Sequence, residues 1–242
     1  MALADHQNLN GEPCQNCPSR AYSEFADLSY ECACEMERAR SRLRAEPGDH
    51  IATQGIISTA LFFVTDGMVG LWRTDVNGRR TLVRLVHAGQ SLEYLCPLGK
   101  PCPYDAIAIQ TTLMCRIDAA FVTKAARDVP ALAVQLLEHA REDLDDAYEM
   151  LLARNTRTVR ARVAALIVDL ARRYGRHGVR GIELELRLSR RDIAELVGAR
   201  VETVVRAIGE LEVEGLVKVS GKRVVVLQGD RMQEVARESP PS

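Results

Sequence analysis

The sequence has 242 residues, a formal net charge of -1, 47% hydrophobic residues and 27% charged residues. This balance is typical of a globular protein, and no apolar run approaches the roughly 18 residues that a membrane span requires. The length predicts two domains joined by a connector.

The first residues, MALADHQNLNGEPC, lack a basic segment followed by an apolar one, so we expect a cytoplasmic protein without a membrane partner. No nucleophile elbow or phosphate-binding loop is found, and the sequence therefore does not predict an enzyme. From Arg154 to Arg206 there are 13 arginines and only 6 acidic residues, an excess of positive charge that could face phosphates. Seven cysteines in a reducing compartment indicate metal ligation or redox sensing rather than disulfide bonds.

Short strands separated by turns are predicted from Pro47 to about Val122. Asn77-Gly78 favours a type I′ turn, which would pair residues 72–74 with residues 80–83 as a hairpin. We therefore predict an all-β sensory domain over residues 47–128, built as a small barrel or jelly roll. Residues 1–46 would form an amino-terminal arm with cysteines and a short helix.

A change to helical spacing follows Pro130. Apolar residues recur three, four or seven positions apart, or at sums of these spacings, at Leu132, Leu136, Leu137, Leu144, Tyr148, Leu151 and Leu152. A long stripe of this kind with charged flanks suits a two-stranded coiled coil, so residues 129–155 are predicted to be a dimerisation helix. The alternative is a helix that packs only on its own domain.

The carboxy-terminal part predicts a winged helix-turn-helix over residues 156–229. Ser189 and Asp192 have the spacing of a capping box, and small residues follow at the turn between two helices. Two short strands joined by Ser220-Gly221-Lys222 would form the wing. Residues 230–242 are polar and are predicted to be a flexible tail.

Three residues of the second helix are candidates for contacts with bases. Glu202 and Arg206 lie four positions apart, hence on one face, with Val205 beside them. Arginine can donate two hydrogen bonds to guanine, and glutamate can accept one from cytosine. The alternative is a simple surface ion pair between residues i and i+4. The remaining basic residues would contact phosphates: Arg157, Arg160, Arg190, Arg191, Arg200 and Lys222.

Taken with these motifs, the chain resembles the CRP/FNR family of regulators over nearly its whole length. The segment V-E-T-V-V-R stands where the FNR branch has E-x-x-S-R. The resemblance implies an α+β protein with an amino-terminal β-roll of the cyclic-nucleotide-binding type, a long dimerisation helix and a carboxy-terminal winged helix-turn-helix. It also implies a homodimer that binds palindromic double-stranded DNA at TGA-like half-sites, with RNA polymerase as a further partner. Val205 replaces the serine of that branch, and its apolar side chain suits a thymine methyl group.

The same resemblance bears on the ligand of the sensory domain. Family members that bind cyclic AMP have a Gly-Glu pair and an Arg-Ser pair, whereas this chain has Gln90 and Asp105-Ala106 at the corresponding places. A phosphate would meet a carboxylate, so no cyclic nucleotide is expected. His87 could bind heme, as in the carbon-monoxide sensors of the family, although an ordinary surface or core histidine is the simpler interpretation.

Cysteines suggest an iron–sulfur cluster, with 4Fe-4S as the expected type. Cys14 and Cys17 form a C-x2-C pair in the arm, and by resemblance Cys115 stands where oxygen-sensing FNR proteins have their distant ligand. The family's third arm cysteine would fall near Ser23, so Cys32 or Cys34 would supply the remaining ligand.

Two alternatives use other sets of cysteines. Four thiolates in the arm could hold zinc without Cys115, namely Cys14, Cys17, Cys32 and Cys34. Cys96 and Cys102 could instead oxidise reversibly as a metal-free thiol switch.

The cluster hypothesis includes a mechanism. Ligation would tie the arm to the β-roll and allow the long helix to pair with a second copy. Acidic residues on that helix would oppose pairing through mutual repulsion unless the sensory domain compensated their charge, namely Asp143, Asp145, Asp146 and Glu149.

Overall fold

A computed structural model describes residues 13–16, 23, 25–26, 28–93 and 98–239. The chain divides into two compact units, one that ends at Asp143 and one that begins at Leu144. We call them the amino-terminal unit and the carboxy-terminal unit.

The amino-terminal unit contains two antiparallel sheets. A single 3-10 turn at Cys14–Asn16 precedes them. Its helices are α1 (Tyr30–Ala39), α2 (Ala119–Asp128) and the first half of α3 (Pro130–Thr156). Its strands are β1 (Arg40–Ala45), β2 (His50–Ala52), β3 (Ala60–Asp66), β4 (Met68–Thr74), β5 (Arg80–His87), β6 (Ser91–Leu92), β7 (Asp105–Ala108) and β8 (Thr112–Asp118).

Strand order in the first sheet is β1-β8-β3-β6, and in the second it is β2-β7-β4-β5. Side chains alternate between the two faces of each strand, so consecutive residues enter different cores. Met114 and Phe62 pack between the two sheets, whereas Ile117 and Phe63 pack on the other face of the first sheet, with helices α1 and α2. The predicted β-roll is therefore confirmed.

The β4–β5 hairpin is present with a different turn. Trp72, Arg73 and Thr74 pair with Leu82, Thr81 and Arg80. Gly78 has a positive φ of 76°, but Asn77 does not, so the type I′ turn is wrong. Instead, the carboxylate of Asp75 accepts hydrogen bonds from the backbone N–H groups of Asn77 and Arg79 and organises a longer loop.

Strand β1 lies within the stretch predicted to be the arm. It pairs with β8 from Arg40 opposite Ile117 to Ala45 opposite Thr112, so the sheet begins before residue 47. Most of its residues are exposed because β1 is an edge strand. The strand has no apolar alternation, and periodicity therefore does not predict it.

Four further helices and four strands form the rest of the carboxy-terminal unit. They are α4 (Val159–Tyr174), β9 (Arg176–Gly178), β10 (Gly181–Glu185), α5 (Arg190–Val197), α6 (Val201–Val213), β11 (Val217–Ser220), β12 (Arg223–Val226) and α7 (Gly229–Val235). The sheet order is β11-β12-β10-β9. Strands β11 and β12 pair from Val217 opposite Val226 to Ser220 opposite Arg223, which is the predicted wing.

Helix α7 lies where a flexible tail was predicted, and for residues 230–235 that prediction is wrong. Met232 and Val235 are buried, and α7 packs against α4. Met232 and Val235 are the only two buried residues of this short helix, too few for a periodicity visible among its polar neighbours. The long helix α3, by contrast, matches its prediction within one residue at each end.

Candidate DNA interface and cysteine cluster

Helices α5 and α6 form the helix-turn-helix. At the start of α5 the Ser189 side chain accepts from the Asp192 N–H, and the Asp192 carboxylate accepts from the Ser189 N–H, a complete capping box. The helix ends at Gly198, whose left-handed φ of 64° suits glycine. This tight turn connects α5 directly to α6.

Helix α6 presents the predicted base-contacting residues to solvent. Glu202, Val205 and Arg206 are exposed, while residues on the opposite side of the helix are buried, namely Val204, Ala207, Ile208 and Leu211. Within the residues that the structure describes, neither Glu202 nor Arg206 takes part in an ion pair. Both side chains are therefore available to a ligand, as a base-contacting role requires.

Four other predicted DNA contacts surround this helix. Arg200 is exposed at the N-cap position of α6, and Lys222 is exposed in the wing turn. Arg190 is half-buried in the first turn of α5. Arg191 is exposed, and its Nε lies 3.1 Å from Glu195 Oε1. The Arg191 side chain is 76% exposed although that of Glu195 is only 15% exposed, so the guanidinium remains accessible to a phosphate.

Arg160 has a different role from the one its charge predicts. Its guanidinium lies 2.6 Å from Glu214 Oε2 and 2.6 Å from Glu238 Oε2, and the side chain is 18% exposed. It joins α4 to the end of α6 and to the residues after α7. The prediction of a phosphate contact at Arg160 is therefore contradicted by its two carboxylate partners, whereas Arg157 forms no ion pair among the described residues.

Three cysteines are part of the core beside α1 or pack against it. Cys14 is buried in this core, and Cys32 and Cys115 pack against it. Cys34, two residues further along α1, is half-buried and is not part of this core. Cys17 lies outside the described residues. Cys32, rather than Cys34, thus packs in the same core as Cys14 and Cys115.

Glu37 and Arg40 hold the turn that carries Cys14. The Cys14 N–H donates to Glu37 Oε2 at 2.6 Å, and Arg40 Nη2 donates to Glu37 Oε1 at 2.7 Å. Burial, with the hydrogen bond to Glu37, raises the pKa of the Cys14 thiol to about 12, and Arg40 partly offsets this. Burial also raises the pKa of Cys32. These thiols are thus protonated unless a metal or a positive charge stabilises the thiolate.

Thiols are the donors that both iron–sulfur clusters and zinc require, and three of them line one core. In the described part of the chain, no group of three or more His, Cys, Asp or Glu side chains is close enough to hold a metal ion. The residue types therefore match such a group, with Cys17 as the further thiol that the arm could supply, whereas the three described thiols are not arranged as a formed metal site.

Cys102 belongs to a separate buried cluster. Its Sγ lies 2.8 Å from Glu93 Oε1 and 2.9 Å from the Tyr104 carbonyl oxygen. Burial, followed by the hydrogen bond to Glu93, raises the pKa of this thiol to about 12. A thiol that stays protonated is a poor nucleophile, which disfavours the thiol switch. Its predicted partner, Cys96, lies outside the described residues.

Gln90 and Asp105, considered above for cyclic nucleotides, both accept hydrogen bonds from nearby backbone groups. Gln90 Oε1 accepts from the His87 N–H at 2.9 Å, and Asp105 Oδ1 accepts from the Gln54 N–H at 2.9 Å. His87 is buried. Glu93 has a left-handed φ of 59°, which is unusual for a residue with a side chain. Glu37, Arg40 and Glu93 belong to no sequence motif, and only their neighbours in the structure reveal them.

Comparisons with known proteins agree with this geometry. Residues 161–235 match the Crp-like helix-turn-helix domain, and residues 42–128 match the cyclic nucleotide-binding domain. The chain belongs to the CRP/FNR family of transcription regulators.

Curated relatives place the chain near the FNR branch of the CRP/FNR family. It is 26% identical over 218 residues to the transcriptional activator protein FnrL of Cereibacter sphaeroides, covering 88% of this chain and 87% of FnrL. It is 23% identical to the fumarate and nitrate reduction regulatory protein of Vibrio cholerae, covering 81% of this chain and 79% of that protein.

Solved structures show the same fold. FixK2 from Bradyrhizobium japonicum has a TM-score of 0.71 at 23% identity, covering 83% of this chain and 99% of FixK2. A CRP/FNR family regulator from Thermus thermophilus has a TM-score of 0.70 at 23% identity, covering 83% of this chain and 100% of that protein.

The domain match and the curated relatives together show that the present chain is a DNA-binding transcription regulator. Among its described residues, no helix is long and apolar enough to cross a membrane.

Proposed function

We propose that this regulator responds to oxygen or redox state through an iron–sulfur cluster, expected to be 4Fe-4S, held by Cys14, Cys17, Cys32 and Cys115. The observation that carries the proposal is the packing of Cys14, Cys32 and Cys115 in one core. Cys115 comes from strand β8 and Cys14 from a turn that precedes α1, so a shared ligand would connect distant parts of the chain.

Glu37 and Arg40 of this chain hold Cys14 in place for such a connection. Glu37 accepts the hydrogen bond from the Cys14 N–H, and Arg40, which pairs with Glu37, places a buried positive charge at the start of β1. A cluster, when bound, would supply a redox-sensitive centre that oxygen can destroy. The protein would supply the thiolates, exclude water through Phe25 and Leu28, and provide a positive charge.

DNA binding would require two copies. Leucines on α3 are exposed at a spacing of seven residues, Leu137, Leu144 and Leu151, with Tyr148 and Leu152 beside them. Exposed apolar side chains at this spacing suit a coiled coil with a second copy. Two copies of α6 could then contact two half-sites one helical turn apart, with Glu202, Val205 and Arg206 as the base-contacting residues. RNA polymerase would be a further partner, by analogy with the CRP/FNR family.

Other effectors have weaker support. A zinc site would need Cys34 together with Cys14, Cys17 and Cys32, but Cys34 is not part of the core that contains Cys14. The thiol switch would need Cys102 as a nucleophile, but its pKa is raised to about 12 by burial. No cyclic nucleotide is proposed, since Asp105 would bring a carboxylate to the phosphate.

The test is a comparison of three proteins purified without air: the parent, Cys115→Ser and Cys34→Ser. Iron, zinc and sulfide per chain, the visible absorption spectrum and DNA binding would be measured for each. We expect the parent and Cys34→Ser to contain iron and sulfide, and Cys115→Ser to be a folded, colourless protein with a smaller dimer fraction. Full retention of metal and DNA binding in Cys115→Ser would contradict the cluster. Zinc that is lost in Cys34→Ser, but not in Cys115→Ser, would favour the zinc site.

A further inference from the structure

We infer that Glu37 and Arg40 form a latch that fixes Cys14 to helix α1, in the core that also contains Cys115, and that this latch orders Cys14 before any metal binds. The inference rests on the proposed function for its purpose. The latch itself can be tested in metal-free protein.

The first part of the latch is the link from Glu37 to Cys14. The backbone N–H of Cys14 donates to Glu37 Oε2 at 2.6 Å. These residues lie 23 positions apart, so the bond joins the arm to helix α1 rather than stabilising a local turn. Hydrogen bonds to a charged acceptor are roughly twice as strong as neutral ones. This one fixes the backbone at the cysteine itself.

Arg40 forms the second part by holding the carboxylate in place. Its Nη2 donates to Glu37 Oε1 at 2.7 Å and to Oε2 at 2.8 Å, and its Nε donates to Oε2 at 3.1 Å. The Arg40 side chain is only 7% exposed, whereas Glu37 is 36% exposed. Because the Arg40 guanidinium is charged and buried, its pairing with the Glu37 carboxylate favours the orientation in which Glu37 accepts the Cys14 N–H.

Arg40 also places the latch next to Cys115. It is the first residue of β1 and pairs with Ile117 on β8, two residues from Cys115. Its guanidinium interacts electrostatically with both Cys14 and Cys115. A single residue is therefore in contact with the arm through Glu37 and with the sheet through β8.

Apolar contacts alone would not give this precision. Phe25 and Leu28 bury the arm in the core beside α1, but apolar contacts are not directional. The hydrogen bond to Glu37 selects one position for Cys14 along that surface. Glu37 and Arg40 are thus positioning residues, and they act through the backbone of a ligand.

The test uses metal-free, full-length protein labelled with 15N only at its seven cysteines. Amide hydrogen exchange of Cys14 is measured by NMR in the parent, in Glu37→Ala and in a matched control, Glu35→Ala. The control removes another carboxylate of α1, whose Oε2 lies 2.7 Å from Lys124 Nζ. The Cys102 amide, which donates to the Ile56 carbonyl oxygen at 2.8 Å, reports whether the rest of the unit is folded.

We expect Cys14 exchange to become about tenfold faster, or more, in Glu37→Ala, because the lost bond has a charged acceptor. Cys102 exchange should not change, and Glu35→Ala should match the parent. Unchanged Cys14 exchange in Glu37→Ala would overturn the latch. If Glu37→Ala also exposes Cys102, Glu37→Gln decides: faster Cys14 exchange than in the parent supports the latch, and an equal rate overturns it.

A second measurement connects the latch to the cluster. The same proteins are incubated with iron and sulfide without air, and the absorption of the product is recorded. Glu37→Ala should give less than half the absorption of the parent, and Glu35→Ala should equal it. A full cluster in Glu37→Ala would overturn the assembly role. A parent that takes no cluster while its latch behaves as expected would contradict the proposed function alone.

Discussion

Arg84 on strand β5 and Asp143 on helix α3 form an ion pair, and their side chains are only 22% and 23% exposed. Asp143 is one of four acidic residues predicted to repel a second copy across α3. Its charge is instead compensated by Arg84 within the same unit. Such a pair is the compensation by the sensory domain on which that expectation depends, and it attaches the helix to the sheet at this point.

Arg84→Ala should remove this attachment and release the charge of Asp143. Because both side chains are mostly shielded, we expect a coupling energy of about 1 kcal/mol between them. A double-mutant cycle with Asp143→Asn, measured by urea unfolding, gives this energy directly. Sedimentation of the same proteins should show a smaller dimer fraction for Arg84→Ala than for the double variant. A coupling energy of zero would mean that the pair contributes nothing.

Arg206→Ala should weaken binding to a cognate palindrome by about 1–3 kcal/mol and relax the preference for guanine at one position of each half-site. The side chain is exposed on α6 and has no partner to release within the described residues. The measurement is binding to a set of sites with single base changes. Glu202→Ala should act on the neighbouring position. If Arg206→Ala discriminates guanine as well as the parent, Arg206 does not contact that base.

Arg160→Ala should affect the stability of the fold, and Arg157→Ala should affect the salt dependence of DNA binding. Arg160 pairs with Glu214 and Glu238, which are themselves partly exposed, so its loss should lower the free energy of unfolding by about 1 kcal/mol. The salt dependence of DNA binding should not change. Arg157→Ala should leave stability within about 0.5 kcal/mol. It should reduce the slope of log K against log salt by about 0.9 for each phosphate that is no longer neutralised. A reduced slope in Arg160→Ala would restore Arg160 as a phosphate contact.

Cys102 should react slowly with iodoacetamide in the folded protein. Burial and Glu93 raise its pKa from the ordinary 9.0 to about 12, so at pH 8 the thiolate fraction falls by roughly 1000-fold. Between these two pKa values the folded state retains a proton that the unfolded state releases, and stability should therefore decrease as the pH rises above 9. Peptide mapping of native and urea-unfolded protein gives the two rates. Glu93→Gln should speed the native reaction, and equal rates in native parent and unfolded chain would contradict this environment.

Local rules predicted much of the fold. The capping box at Ser189, the wing and the hairpin after Trp72 all follow from residue types at fixed spacing, and all are present. Two elements without an informative spacing of apolar residues, β1 and α7, were not predicted. The edge strand β1 has exposed residues on both faces, and α7 has only Met232 and Val235 in the core.

Sequence and tertiary structure contribute differently to the description of the site residues. The exposure of Glu202 and Arg206 follows from helix periodicity. The use of Arg160 depends on Glu214 and Glu238, which lie 54 and 78 positions away in the sequence. The hydrogen bond from Cys14 to Glu37 likewise joins residues that are far apart in the sequence, by 23 positions. Pairs of this kind need the tertiary structure, because charge alone does not identify a partner.

Helix α7 has a consequence for the order in which the protein is made. A ribosome adds about 5–20 residues per second, and domains generally fold as units from the amino terminus. Met232 and Val235 follow every other helix and strand of the carboxy-terminal unit, yet both are buried in it. This unit can therefore complete its core only after α7 has left the ribosome, several seconds after Asp143 has been added. The amino-terminal unit can already be folded by then, so a newly made chain would complete its β-roll before the unit that contains the helix-turn-helix.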